Sequence, residues 1–411
     1  MKLFYNWDGT DPSRYHHKAI DREYFDWLFS MLAGTGLTFL YRANLAGRAY
    51  YHSQLMSAFD HSSVDHRNPD AQLFHRVADM MDGCDPLAEA VAAARRHGVE
   101  IWIWWNWNEF HCVRPQWLFL SDRLWYERPR YYWCSRDGTQ FYSGVPDWGH
   151  PQVIDRLLGL AKETLNYGVD GMYLSTRSHS LWPGWRSPGW DTRLEPFGFN
   201  DSVVDTYRKR YGVDIRYEDY DEEKWLRIKG EQFSTVLSHT GRLIHDAGKK
   251  FIVGTDDNRY SMMADFGKSH HVQQAAPYLK LHKDWEAWAA NGSIDGLCGE
   301  SSCPKDRKLS IPDITVYRKT LDNDFPLYAW LDTGWWVNRD GEPFSLVNWG
   351  RNSVEQVIGQ IELAREAQCA GAMLHTLYHF TAVDSGGESI GGYGVLPRTE
   401  YFDALRQRAQ S

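Results

Sequence analysis

The stretch DPLAEAVAAARRHGVEIWIWWN, residues 85–106, decides the fold. Asp85-Pro86 is a helix-start signal, a capping acid followed by proline at the first turn. Leu87–His97 then reads as a helix that stops at Gly98, and Val99–Trp105 reads as a strand closed by the polar Asn106. A helix of this length feeding a short apolar strand is one half-turn of a repeated βα pattern.

Outward from it the pattern recurs in both directions. Upstream lie strands at Leu3–Trp7 and Leu37–Arg42, with the helix Asp21–Leu32 between them, whose Tyr24, Leu28 and Leu32 sit at four-residue spacing. Downstream, the helix His150–Tyr167 leads into a strand at Gly168–Ser175, and helical segments near 201–211 and 222–247 precede a strand at Lys250–Thr255. Further strands fall at Ser293–Cys298, Pro326–Leu331 and, after the helix Val354–Gln368, at Gly371–Leu377. Eight strands alternating with helices predict an α/β chain folded as a (β/α)8 TIM barrel. The 411 residues are enough for two to three average domains or for one such barrel with insertions. The reading here is one barrel over 1–411, with aromatic-rich insertions at about 110–148 and 176–247. No glycine-rich GxGxxG or Walker A turn follows an early strand, which argues against dinucleotide and phosphate-loop folds, and no cofactor is expected.

Composition narrows the partners. Forty-five Lys and Arg against 54 Asp and Glu give a net charge of −9, without a basic stripe, so neither nucleic acid nor an anionic membrane is the expected partner. Twenty Trp, 23 Tyr and 18 Phe raise the aromatic share to 15%, yet the mean hydropathy is −0.56. Rings in such number in a polar chain suit a flat, partly apolar ligand, and a carbohydrate substrate is the expectation. The opening residues Met1–Asp8 do not resemble a secretory leader, and Cys84, Cys112, Cys134, Cys298, Cys303 and Cys369 lack metal-type spacing; a reducing, cytoplasmic setting is expected.

In a barrel of this kind the active site forms at the C-terminal ends of the strands. The polar residues there are Asp8 after the first strand, Arg42 and Asn44 after the second, Asn106, Asn108 and Glu109 after the third, and Arg177 and His179 after the fourth. Asp256 and Asp257 follow the fifth, Glu300 the sixth and Asp332 the seventh, with His375 and His379 after the eighth. Glycosidic cleavage needs one carboxylic acid to protonate the leaving oxygen and one carboxylate to attack or to activate water. The ring of acids offers both, although Asp256, Asp257 and Asp332 also stand where helix N-caps could fall.

Several segments resemble a known family. Arg42-Ala43-Asn44-Leu45-Ala46-Gly47-Arg48-Ala49-Tyr50-Tyr51-His52-Ser53, Asp85-Pro86-Leu87 and the helix into His97-Gly98-Val99-Glu100 are similar to the glycoside-hydrolase-like family ten barrels. So are Trp148-Gly149-His150-Pro151-Gln152-Val153 with Val169-Asp170-Gly171-Met172-Tyr173-Leu174, which resemble the "PGHPEV … VDGIHLD" segment, and Phe197–Ile215 with Glu223–Phe233. The resemblance covers roughly residues 1–255 and implies a barrel acting on glycosides. One departure stands out: where the family segment closes on Asp, this chain has Ser175, followed by Thr176-Arg177-Ser178-His179. An acid at the end of the fourth strand takes part in catalysis in many retaining barrel glycosidases, so that part must move or vanish.

Asp256, Glu300 and Asp332, on three strands consecutive in order, are therefore the expected catalytic acids, in an arrangement leaning toward inversion. Asp8, Arg42, Trp105, Asn106, Glu109, Tyr173, Arg177, His179, Trp335, Trp336, His375 and His379 are the expected substrate contacts, with Glu109 the reserve acid. Of Trp102, Trp104, Trp105 and Trp107, some must be core, because strand side chains alternate faces. No HExxH or similar pattern marks a metal site, and no GxSxG elbow marks a serine nucleophile. Alternation places Tyr173, Ser175, Arg177 and His179 on one face, which suits an acidic sugar and leaves two other readings open. One is a lyase acting on a uronate-containing glycan, with Tyr173 or His179 as base; the other is a sugar-binding barrel without catalysis.

Overall fold

A computed structural model describes residues 1–15, 19–64, 71–110, 119–178, 196–265, 273–300, 311–337, 348–375, 381–382, 396–397 and 399–410. Eight parallel strands close into a barrel: β1 Lys2–Trp7, β2 Leu37–Arg42, β3 Ile101–Asn106, β4 Gly171–Ser175, β5 Lys250–Thr255, β6 Gly296–Gly299, β7 Leu327–Asp332 and β8 Gly371–His375. Each strand pairs with the next in sequence, and β8 returns to β1 with Met373 opposite Phe4. The TIM barrel read from the sequence is the fold observed.

The helices that follow the strands in turn are α1 Arg22–Leu32, α2 Pro86–His97, α3 Pro151–Asn166, α4 Glu222–Asp246, α5 Trp285–Ala290, α6 Thr315–Arg318, α7 Val354–Glu366 and α8 Thr399–Gln410. Their ends are set locally. Asp21 accepts from the amides of Glu23 and Tyr24 to start α1, and Asp85 with Pro86 starts α2, which Gly98 ends at φ 64°. Ser353 and Gln356 form a reciprocal capping box on α7. The outward faces of the strands, among them Tyr5, Trp7, Phe39, Ile103, Trp105, Leu174 and Val253, pack with the helices' buried stripes into the main core.

Three sequence expectations shift. The segment 71–83, to which the sequence reading assigns no element, is a helix whose Leu73, Phe74, Val77, Ala78, Met80 and Met81 are buried. Helical stretches at Thr10–Tyr15, α5, α6 and α8 also went unread, and the sixth strand is Gly296–Gly299 rather than Ser293–Cys298. The described part of the aromatic insertions, whose rings composition alone suits to a flat ligand, largely builds a core of its own. Tyr132–Cys134 pairs with Phe141–Pro146, and Asn200 ties this hairpin to the later insertion by accepting from the Cys134 amide at 3.1 Å and donating to the Tyr132 carbonyl at 2.8 Å. Cys134, Phe199, Val203, Val204, Tyr207, Ile215, Trp225, Leu226 and Ile228 fill the space between. Trp133 and Trp148 meet edge to face at 5.3 Å, and Trp148 packs on Phe233 of α4 at 4.4 Å. Apolar rings of that size are worth more buried than solvated, so these described rings serve the core rather than a ligand.

Candidate active site

The barrel interior is filled by the inward-facing residues Phe4, Leu40, Trp102, Trp104, Tyr173, Ile252, Cys298, Tyr328, Trp330 and Met373. Space for rings this large is made by inward-facing glycines. A Cβ on Gly171 would lie 2.4 Å from the Trp102 indole, one on Gly296 2.6 Å from the Tyr328 ring, and one on Gly254 2.0 Å from the Tyr173 hydroxyl. Large and small residues thus interlock across the lumen, and the layer nearest the strand ends is Trp104, Tyr173 and Trp330. Trp104 meets Trp330 edge to face at 5.4 Å, while Tyr173 stacks on Trp330 at 6.0 Å.

Above this floor, one side of the mouth is held by Arg42. Its guanidinium donates to Asp8 and to Glu109, and its Nε donates to the Asn44 carbonyl at 2.8 Å, while its plane lies 4.9 Å from the Trp104 ring. Asp8 also accepts from the Thr10 amide at 3.0 Å, the Thr10 hydroxyl at 2.8 Å and the Tyr50 hydroxyl at 3.2 Å. Burial pushes the Asp8 carboxyl up, but Arg42 and the Thr10 bonds outweigh it and hold it below the usual range. Glu109 is fully enclosed. This side is a buried brace rather than a reactive edge. Next to it, Asn106 accepts from the Trp104 indole N–H at 2.8 Å, and its own amide nitrogen is buried without a partner.

The opposite side carries the proposed chemistry. Glu300 leaves the end of β6 with its amide bonded to the Thr255 carbonyl at 2.9 Å, and its Oε1 accepts from the Tyr173 hydroxyl. Its Oε2 is buried with no partner among the described residues. Desolvation raises the Glu300 carboxyl above the ordinary glutamate value; Arg177, Tyr173 and Ser175 oppose that rise without cancelling it, and Asp256 adds to it. Burial and the adjacent Glu300 raise the Tyr173 phenol well above its ordinary value. Asp256, at the end of β5, is locked by Lys283 Nζ at 2.9 Å from Oδ2 and by the Asn258 amide at 2.7 Å from Oδ1. Asp332 and His375 stand opposite each other on β7 and β8, with Oδ1 and Nδ1 3.3 Å apart. Burial lowers the His375 pKa despite Asp332, so the imidazole is neutral near pH 7.

The mouth therefore gathers Asp8, Arg42, Asn106, Glu109, Tyr173, Arg177, Asp256, Glu300, Asp332 and His375 from the expected set. Trp105 is corrected: it faces the helical layer, donates to the Thr164 hydroxyl of α3 at 3.3 Å and meets Tyr51 edge to face, so it cannot be a sugar platform. The ring that faces the lumen is its neighbour Trp104, as the parity of the adjacent Asn106 requires. Trp335 and Trp336 fall on the strand Gly334–Val337, paired antiparallel with Asn348–Arg351, and their side chains lie outside the described residues. His179 and His379 lie outside the described residues, as do Trp117, Trp182, Trp185 and Trp190. Sequence reasoning missed Trp330, Tyr50 and Lys283. Trp330 was legible from its spacing two before Asp332, whereas nothing around Lys283 signals a site. Among the described residues no three His, Cys, Asp or Glu side chains cluster to hold a metal ion, and no helix is long and apolar enough to cross a membrane.

Comparison with known proteins adds to the fold alone. No family model matches the sequence, so the family-ten resemblance gains no support there, and no curated protein matches it either. Among solved structures, the chain is similar to a β-galactosidase from the psychrophilic Marinomonas ef1, with a TM-score of 0.51 at 10% identity over 100% of this chain and 60% of that one. A Group IV chitinase from Ostrinia furnacalis gives 0.45 at 10% identity over 99% of both chains. A chitinase from Chromobacterium violaceum gives 0.42 at 8% identity over 100% and 99%.

Proposed function

We propose that this chain is a glycoside hydrolase whose general acid is Glu300. One observation carries the reading: a carboxyl group at the barrel mouth whose pKa burial raises, with one oxygen held by Tyr173 and the other without a partner among the described residues. A raised carboxyl pKa favours the protonated form from which a general acid works. Glu300 gives its proton to the glycosidic oxygen as the bond to the anomeric carbon breaks and the bonding pair leaves with that oxygen. The carboxylate left behind is stabilised by the Tyr173 hydroxyl and the Arg177 charge.

Asp332, held by the neutral His375, is the partner carboxylate that activates water or attacks the anomeric carbon. Asp256 is tied by donors on both oxygens and serves better to fix the electrostatics beside Glu300 than to move protons. The rings of Trp104 and Trp330 form an apolar floor under the sugar. That several solved structures of similar fold are named as glycosidases is consistent with this choice. The elimination reading is weaker, since Tyr173 as base would have to give up a proton that burial and Glu300 both hold in place.

Asp256→Asn, Glu300→Gln and Asp332→Asn, assayed on a panel of oligosaccharides and aryl glycosides, test the assignment. Glu300→Gln is expected to lose at least a hundredfold in kcat/KM, the usual scale for a removed general acid. Aryl glycosides with good leaving groups should lose least. Full activity in all three variants would overturn it.

A further inference from the structure

The hydrolytic scheme uses the charge of Arg177 beside Glu300 but leaves its hydrogen-bonding fork unoccupied among the described residues. The chain continues past β4 in an extended path: the Thr176 amide and hydroxyl both donate to the Gly254 carbonyl, at 3.0 and 2.9 Å, and Asn108 donates to the Thr176 carbonyl at 2.8 Å. The Ser178 hydroxyl donates to the Asn108 carbonyl. With Thr176 and Ser178 fastened on both sides, Arg177 keeps the inward phase of Tyr173 and Ser175. Its guanidinium lies 4.5 Å from the Trp330 ring and 5.5 Å from the Trp104 ring, and the residue is 4% exposed.

A buried guanidinium is normally matched by a carboxylate or by carbonyls. Here Nε is buried, and among the described residues no side chain or carbonyl accepts from it or from the rest of the fork. Arg42, on the other side of the same mouth, shows the contrast, with two carboxylates and a carbonyl on its donors. Contact with indole faces compensates a desolvated cation in part only. Among the described residues no carboxylate hydrogen-bonds this fork, and the Asn106 amide nitrogen across the floor is unpaired among them too.

We propose that Arg177 is the receptor for a carboxylate on the sugar bound at this mouth, so that the substrate is a glycan containing an acidic residue such as a uronate. The planar fork of arginine matches a carboxylate through two parallel hydrogen bonds. The rings on which Arg177 rests give the pyranose its apolar face, and Asn106 Nδ2 is placed for a sugar hydroxyl or the second carboxylate oxygen. This inference rests on the hydrolase reading for its substrate being a sugar, but the anion site stands on its own geometry.

The experiment measures binding, not turnover. Glu300→Gln protein is titrated calorimetrically with methyl uronides of gluco, galacto and manno configuration, each against its neutral parent and against the 6-sulfated hexose. At least one uronide is expected to bind about ten- to a hundredfold tighter than its neutral parent, the scale of a charge-assisted bidentate pair. Arg177→Met should erase that preference and Arg177→Lys should recover only part of it. Because it removes an unmatched buried charge, Arg177→Met should also melt no lower than its parent. Equal binding of uronide and neutral sugar, a preference that survives in Arg177→Met, or a clear drop in its melting temperature overturns the proposal. Tighter binding of the sulfated sugar overturns the choice of carboxylate. If the uronide preference holds while Glu300→Gln still cleaves glycosides at the parent rate, the catalytic reading fails and the anion site stands.

Discussion

Lys283 places its ammonium 2.9 Å from Oδ2 of Asp256, with both side chains shut away from solvent. The pair joins the loop after the fifth strand to the strand's own end, and the Lys283 amide adds a bond to the Arg259 carbonyl at 2.8 Å. Breaking such a pair costs more than the pair contributes, because the survivor is left as a buried lone charge. Lys283→Met is therefore expected to destabilise by about 3–5 kcal/mol. Lys283→Met with Asp256→Asn should recover much of the loss. Urea unfolding of the two singles and the double gives the cycle; additive losses would show that the two side chains do not act as a pair.

Tyr173 and Arg177 both lower the Glu300 pKa from the height burial alone would set. If Glu300 is the general acid, as proposed, it must be protonated to act, and activity then falls as pH rises through its value. Tyr173→Phe removes one of the lowering influences, so the alkaline limb of kcat/KM should move to higher pH while kcat drops. An alkaline limb that stays in place, or moves down, assigns that limb to another group.

Gly254 lies beneath both of these residues. A methyl group there would come within 2.0 Å of the Tyr173 hydroxyl and 2.5 Å of Glu300 Oε1, and neither can retreat through the filled lumen. Gly254→Ala is expected to cost about 1–3 kcal/mol in overpacking. Far-ultraviolet circular dichroism should show the fold kept, and kcat should fall with the Tyr173–Glu300 bond. Gly83→Ala, at a site with open space around it, is the control.

His375 is kept neutral by burial, with Arg177 adding to the effect and Asp332 opposing it. Below its ordinary value of 6.5 the unfolded chain takes up a proton that the folded chain resists. The unfolded state then binds more protons, so unfolding free energy rises with pH across the window from the lowered value up to about 6.5. The slope from one such group is at most about 1.4 kcal/mol per pH unit. His375→Gln should flatten that part of the stability curve, measured by urea midpoints between pH 5 and 8; an unchanged slope rules His375 out as its source.

The barrel was legible because strand and helix periods differ and each strand ended on a polar residue, as Trp7-Asp8, Leu40-Tyr41-Arg42 and Leu331-Asp332 do. The same rule located Asp256, Glu300 and Asp332 at the mouth. The face of each tryptophan on the third strand was not settled that way, since Trp104 and Trp105 are equally apolar and only the shared parity of Trp104 and Asn106 separates lumen from helical layer. Lys283 was invisible for another reason. Its role depends on a loop folding back over the strand end, a contact between residues 27 apart that no local pattern announces. The insertions misled because aromatic density looks alike whether rings face a ligand or one another: Trp133 and Trp148 face each other, and Trp225 stacks on Phe199.

The interlocked rings and glycines of the lumen also decide traffic. With Phe4, Trp102 and Trp104 buried, the described lumen is filled, and a ligand that enters at the strand ends leaves by them. A polymer threaded through the lumen would meet those rings. On the proposed reading, cleavage deep in the mouth would favour a chain end lowered inward, whereas cleavage along the middle of a long glycan would need the chain laid across the rim, so the lengths of the first products would report how far down the mouth the bond is cut.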